Sequence, residues 1–104
     1  MKMAVLSVAK IVLLGHICTG HPTYPPRPNI EASPNFIVKG KGVHRQGDAW
    51  ASHCRVIPPF DCHGATLSVG TSNFLANGKA VAKVGDAISC GSFCAEGDDS
   101  FDIN

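Results

Sequence analysis

Two stretches of the chain alternate apolar and polar residues for a few positions, break at a glycine, and then alternate again. They are residues 35–48 and 73–86, and they align without a gap. Asn35/Asn73, Phe36/Phe74, Gly40/Gly78, Lys41/Lys79, Val43/Val81, Gly47/Gly85 and Asp48/Asp86 are identical pairs, half of the aligned positions, and Arg45/Lys83 is a conservative one. The alternation is that of a half-buried strand. Lys39-Gly40 and Asn77-Gly78 fall where a two-residue hairpin turn belongs, and Asn-Gly is the strongest short signal for one. Each copy therefore predicts a hairpin arm. Phe36 and Phe74 are its matched core residues, Val43 and Val81 restart the return strand, and Gly-Asp ends it. Residues 100–104 resemble the start of a copy, so a truncated third arm is expected over 99–104, with Phe101 in the place of Phe36 and Phe74. Near the start, Ile11-Val12-Leu13-Leu14 running into Gly15 predicts a buried strand.

Composition supports short strands. Eleven Gly and seven Pro in 104 residues disfavour long helices and favour strands joined by turns. The prolines gather in 18–34 and 49–64, which are expected to be stiff and largely outside any ladder. The length suits a single domain over 1–104 with a small core. The expected class is all-β, built from short hairpins with pseudo-threefold repeats. Three related arms would let one chain face a threefold-symmetric partner.

A formal net charge of +1 gives no reason to expect a nucleic-acid partner. Glu96, Asp98, Asp99 and Asp102 read as a solvated acidic tail. Lys2 followed by the apolar stretch from Met3 to Leu14 has the look of a signal peptide. Lys10 interrupts it and no small-residue cleavage site follows, so none is expected. No stretch is long enough to span a membrane, and no amphipathic helix or lipid-binding segment is visible.

The five cysteines, Cys18, Cys54, Cys62, Cys90 and Cys94, are odd in number. Without a secretion signal, free or metal-bound thiols are expected in preference to a disulfide framework. Cys18 and His21 precede the first arm, and His53 and Cys54 follow it. Cys62 and His63 precede the second arm, and Cys90 follows it. If symmetry relates the arms, one upstream and one downstream ligand per arm converge, which selects His21, His53, His63 and Cys90. Three imidazoles and a thiolate suit a closed, structural, tetrahedral Zn²⁺, with Fe²⁺ able to take its place. Its binding free energy would supplement the small core. Spacing alone does not separate Cys54, Cys62, Cys90 and Cys94 as the thiolate. A lone histidine is commonly a packed or surface residue, and a cysteine a small buried hydrophobe. Clustering in two proline-stiffened loops is what favours a metal. His16 and His44 stand apart from the set; His44, whose repeat counterpart is Ala82, is expected at the surface.

In the order they occur, several runs resemble the PAAR-repeat family. They are Cys18-Thr19-Gly20-His21, Pro25-Pro26-Arg27-Pro28-Asn29-Ile30, Ser33-Pro34-Asn35-Phe36 and the run from Val43 to Trp50. His53-Cys54, Pro58-Pro59, Cys62-His63-Gly64, the run from Asn77 to Asp86 and Ile88-Ser89-Cys90-Gly91 complete the match. The resemblance covers roughly residues 10–104. It implies a small β-hairpin cone, metal-stabilised near its tip by His21, His53, His63 and Cys90. It also implies that one copy, a monomer when alone, sits on a trimeric β-helical spike and touches the target membrane transiently. Such a chain would occupy a virion tail tip, or would be made in the bacterial cytoplasm and delivered outward by type VI secretion. The run from His44 to Trp50 and the stand-alone length point to the phage tail baseplate, with no effector extension expected. The sequence departs from the family where Gly15-His16 replaces Gly-Asp, where Pro22 follows His21, and where Phe60-Asp61 lengthens the stretch before Cys62.

Other functions fit less well. An adaptor carrying toxin cargo to a type VI spike is the alternative within the family. A zinc hydrolase or deaminase needs an open coordination site and a general base. Glu31 and Glu96 are the only glutamates, and neither lies in an H-E-x-x-H or H-x-E context. No catalytic residue and no enzyme activity are expected. A secreted disulfide-stapled module conflicts with the odd cysteine count, and a zinc-ribbon nucleic-acid binder with the missing C-x₂-C pairs.

Overall fold

Three backbone amides tie distant segments into a closed ring. The Val12 N–H donates to the Ala82 carbonyl (3.1 Å), the Ala82 N–H to the His44 carbonyl (2.8 Å), and the His44 N–H to the Val12 carbonyl (2.9 Å). The protein is seen in a computed structural model that describes residues 9–103, with side chains for residues 10–98. A second cycle surrounds the first: Leu14 donates to Gly42, Gln46 to Ala80 and Val84 to Lys10. Residues 11–16 thereby occupy the same place in the third sector that 43–48 and 81–86 occupy in the other two.

Among the described residues the strands are β1 (Ala9–Ile11), β2 (Ile37–Val38), β3 (Lys41–Gly42), β4 (Ala49–Cys54), β5 (Cys62–Thr66), β6 (Leu75–Ala76), β7 (Lys79–Ala80) and β8 (Asp98–Ile103). They pair antiparallel as β1–β8, β2–β3, β4–β5 and β6–β7, giving an all-β fold. No helix among the described residues is long and apolar enough to cross a membrane.

The two predicted arms are the hairpins β2–β3 and β6–β7. Lys39, Gly40, Asn77 and Gly78 all have positive φ, as a type I′ turn requires at both central positions. Phe36 and Phe74 meet edge to face with centroids 4.7 Å apart and pack on Ile11, Leu13, Val43, Ala76 and Val81. The third sector has no such hairpin. Its outgoing strand is β8 and its return strand is β1, from the other end of the chain. The side chain of Phe101, and Asn104, lie outside the described residues.

A second core cluster, Val12, Cys18, Trp50, Leu67, Ala82, Ile88 and Cys94, fills the next layer. It repeats the threefold bonding, since Asn29, Leu67 and Cys94 donate to the carbonyls of His16, Asp48 and Asp86. The proline-rich segment joins this layer through its carbonyls. Arg27 accepts from Cys18 and Pro28 accepts from Ala51, so the segment supplies acceptors to neighbours although its prolines lack donors.

His44 departs from expectation. It is fully buried, because its place in the repeat is the centre of the ring and not an outer strand face. Its Nδ1 lies 2.7 Å from the Glu31 carbonyl, and its ring packs edge-on against Trp50.

His16 plays a part that aspartate plays elsewhere. Each sector turns at a glycine of positive φ, Gly15, Gly47 or Gly85, which a side chain would strain. The next residue then accepts the N–H three positions back. Asp48 Oδ2 accepts from Arg45 (2.9 Å) and Asp86 Oδ2 from Lys83 (3.0 Å). In the third sector His16 Nδ1 accepts from Leu13 (3.0 Å), which requires a ring unprotonated at Nδ1.

Burial is the main cause holding His16 below the ordinary histidine value of 6.5; Lys41 also lowers it, while Glu96 and Asp98 oppose. A depressed pKa means that the unfolded chain takes up the proton first. Stability from this bond is therefore complete above about pH 6.5 and is lost as pH falls toward the lower folded value. His16→Asp, which stays charged at about pH 5.5, should lack that loss. Between about pH 7.5 and 5.5 the Tm of the wild type should fall relative to that of the variant. Parallel melting curves across this range would refute the assignment.

Candidate metal centre

Strand β4 carries Trp50 and His53 inward together, which simple alternation forbids at that spacing. A bulge makes it possible. Trp50 pairs with Ala65 but His53 pairs with His63, so Ala51 and Ser52 stand opposite Gly64 alone. The extra residue reverses the phase of the strand and re-aims His53. Both Trp50 and His53 are buried as a result. His63, directly across the ladder, comes to lie beside His53.

His21 arrives from a tight turn. The His21 and Tyr24 backbones exchange two hydrogen bonds, of 3.1 and 2.7 Å. Pro22 takes the first corner and Thr23, at φ 69°, the second, the pattern of a type II turn. Gly20 is required before it, since a Cβ there would lie 2.7 Å from the Tyr24 carbonyl oxygen. Cys90 sits in the turn closed by Gly91 N–H to the Ile88 carbonyl (3.0 Å). That turn is sutured to the end of β5, because Ser89 donates to the Thr66 carbonyl and its hydroxyl accepts from Thr66 N–H.

The four side chains meet. The Nε2 atoms of His21, His53 and His63 form a triangle with sides of 3.1, 3.1 and 2.8 Å. The Cys90 sulfur joins them, all four ligand atoms lying within 4.8 Å of one another. Three ring nitrogens this close cannot all be satisfied by one another's protons, because a neutral ring offers a single N–H. His53 spends that proton elsewhere: its Nδ1 lies 2.8 Å from the Pro25 carbonyl, so Nε2 is a bare lone pair facing the other two rings. Burial first, and the neighbouring imidazoles second, hold His21 below the ordinary histidine value. A cation at the centre resolves these converging lone pairs. Bonds of about 2.0–2.1 Å in a tetrahedron give N···N edges of about 3.3 Å, slightly wider than the triangle seen. The donor set therefore fits a metal ion.

Tyr24 covers the triad, its ring centroid 4.6, 5.0 and 4.5 Å from those of His21, His53 and His63. Its hydroxyl donates to Asp61, which holds the Asp61 carboxyl below its usual range and the Tyr24 phenol above its own. Arg55 pairs with Asp61 at 2.8 Å and lies over the Tyr24 ring. None of Tyr24, Arg55 and Asp61 stood out as a candidate by sequence, although Arg55 and Asp61 flank the cysteines symmetrically.

The cysteines divide. Cys54 and Cys62 form a disulfide, contrary to the expected free thiols, because the His53/His63 register makes them the next directly opposed pair. Cys18 and Cys94 are buried in the core, and burial pushes the Cys94 thiol up to about 12. Cys90 is the free thiol that is partly exposed and beside the triad.

No curated protein gives a significant match to the chain. The PAAR motif family matches over residues 19–104, a span that holds all four converging side chains, both hairpin arms and the β4–β5 ladder. The chain therefore belongs to the PAAR motif family, whose members are structural tips on the spikes of contractile injection systems.

Proposed function

We propose that one copy of this chain caps and sharpens the trimeric central spike of a contractile machine, the phage tail baseplate being favoured over a type VI spike. The observation that carries this reading is the three-way backbone ring at Val12, His44 and Ala82. A single chain that repeats one bonding pattern three times presents three similar faces, and three identical subunits can meet them at once. In this reading the tip acts by shape and stiffness, without turning over a substrate. His21, His53, His63 and Cys90 hold a structural Zn²⁺, or Fe²⁺ in its place. The ion cross-links a proline turn, both strands of the β4–β5 ladder and the Ile88–Gly91 turn, which lie far apart in sequence.

The purified chain should bind about one Zn²⁺. Alanine at His21, His53, His63 or Cys90 should lower metal content and Tm together. The cost should be about 3 kcal/mol or more where zinc stands about a hundredfold above its dissociation constant. Alanine at Cys18 or Cys94 should leave metal content unchanged. Thiol titration of the native protein should find Cys90 reactive only after chelation. Full metal occupancy in Cys90→Ala would instead assign the fourth ligand to Cys54 or Cys62 in reduced form.

Mixed with a trimeric spike, the chain should co-purify at one copy per trimer, and should be a monomer by itself. Native mass measurement decides this. A homotrimer in solution, or three copies per spike, would contradict the pseudo-symmetry reading.

A further inference from the structure

Past the metal centre, β4 and β5 continue into a short loop that gathers three of the exposed large apolar side chains within five residues. The Cys54–Cys62 disulfide closes its neck. Arg55 and Asp61 follow, joined by a 2.8 Å backbone bond from Arg55 N–H to the Asp61 carbonyl and by a 2.8 Å side-chain ion pair. Beyond them come Val56, Ile57, Pro58, Pro59 and Phe60. Val56 is 62% exposed, Ile57 48% and Phe60 58%, and both prolines are exposed as well. No lipid-facing segment was visible in the sequence, because this stretch is too short to read as anything but a turn.

We propose that Val56, Ile57 and Phe60 form a lipid-contact apex, which enters the headgroup–acyl boundary of a phospholipid bilayer ahead of the metal centre. The proposal rests on the spike-tip reading for its biological setting, but the contact itself is a property of this loop. Two observations favour lipid. The first is how few backbone donors the loop would take out of water. Two of its five residues have no N–H, Val56 donates to the Thr23 carbonyl, and Phe60 donates to the Ile57 carbonyl (2.9 Å). Asp61 at the neck is paired with Arg55 and hydrogen-bonded by Tyr24. Entry to headgroup depth therefore orphans few amide donors, and the loop's carbonyls can stay with water and headgroups there. The second is size. A stable protein partner needs about 800 Å² on each side. Five residues at the end of a stapled loop do not supply that, whereas an interfacial wedge needs only a few apolar side chains. The disulfide, the ion pair and the two prolines hold the side chains outward, so little order has to be gained on contact.

The test is flotation of the zinc-loaded chain with phosphatidylcholine vesicles, compared with the triple variant Val56→Ser, Ile57→Ser, Phe60→Ser. These side chains are exposed, so the variant should keep its Tm and metal content. Wild type should float about tenfold or more over the variant, and should still do so in about 0.5 M salt, where surface charge attraction is screened. In a Phe60→Trp variant, brominated lipid should quench the new indole. Equal flotation of wild type and triple variant, or none by either, overturns the proposal, as does binding that appears only with anionic lipid and vanishes in salt. Spike co-purification in parallel separates the two readings. A chain that docks on the spike but does not float retains the tip function and loses the lipid apex. A chain that floats but does not dock retains the lipid apex and loses the tip function.

Discussion

The rest of the molecule depends on one constraint: three extended segments must pass close enough for Val12, His44 and Ala82 to exchange backbone hydrogen bonds in a cycle. Each amide in that cycle is buried and finds its acceptor only in another sector, so no sector is satisfied alone. The three side chains at the centre are fully buried and unequal in size. Valine, histidine and alanine share one space, and the histidine is the bulky member that leans on Trp50. The backbone is close to threefold here, and the packing is not. A small core of this kind tolerates such asymmetry only when a large residue in one sector is matched by small ones in the others.

The metal centre inherits its geometry from that ring. His21 and His53 each lie three positions beyond matching core residues, Cys18 and Trp50, while Cys90 lies two beyond Ile88. The sector of residues 81–86 thus supplies a thiol from a turn where the others supply imidazoles. His63 comes from β5, a strand that follows only the sector of residues 43–48. The site is therefore off the symmetry that positions it, and the β4 bulge corrects the phase so that His53 can reach the cluster. Tyr24, Arg55 and Asp61 close over the triad and connect it to the loop beyond.

Much of this was legible in the sequence. The two hairpin arms announced themselves through glycine at the second turn position and matched phenylalanines, and both lie where the repeat put them. The four side chains that converge were selected from the arrangement of His and Cys around those arms. Of the third sector the sequence offered only a truncated arm over 99–104, because its strands come from opposite ends of the chain and the return strand, β1, precedes the outgoing one. Ile11, Gly15 and His16 match Val43, Gly47 and Asp48 in space, but only the glycine is identical. His44 was misjudged for the same reason: an alternating pattern tells which residues share a face, not that the face is the centre of a ring. The disulfide had a signal that went unused. His53-Cys54-Arg55 and Asp61-Cys62-His63 mirror each other about the loop, and a hairpin register that pairs the histidines pairs the cysteines and the opposite charges as well.

The pairing of β1 with β8 gives the ring a seam. In the other two sectors the outgoing and returning strands are joined by a two-residue turn, so their hairpins can form as local events. Lys10 and Asp102 pair across roughly ninety residues, and closing so long a loop costs about 3 kcal/mol more chain entropy than closing a tight turn. The third sector is then the last to assemble and the first to open, although it contributes Val12 to the cycle that holds the other two. Cooperativity in this fold runs through its slowest contact. Until the two strands of the seam find each other, Ala82 has an acceptor but the Ala82 carbonyl has no donor, and the arms are hairpins without a common centre.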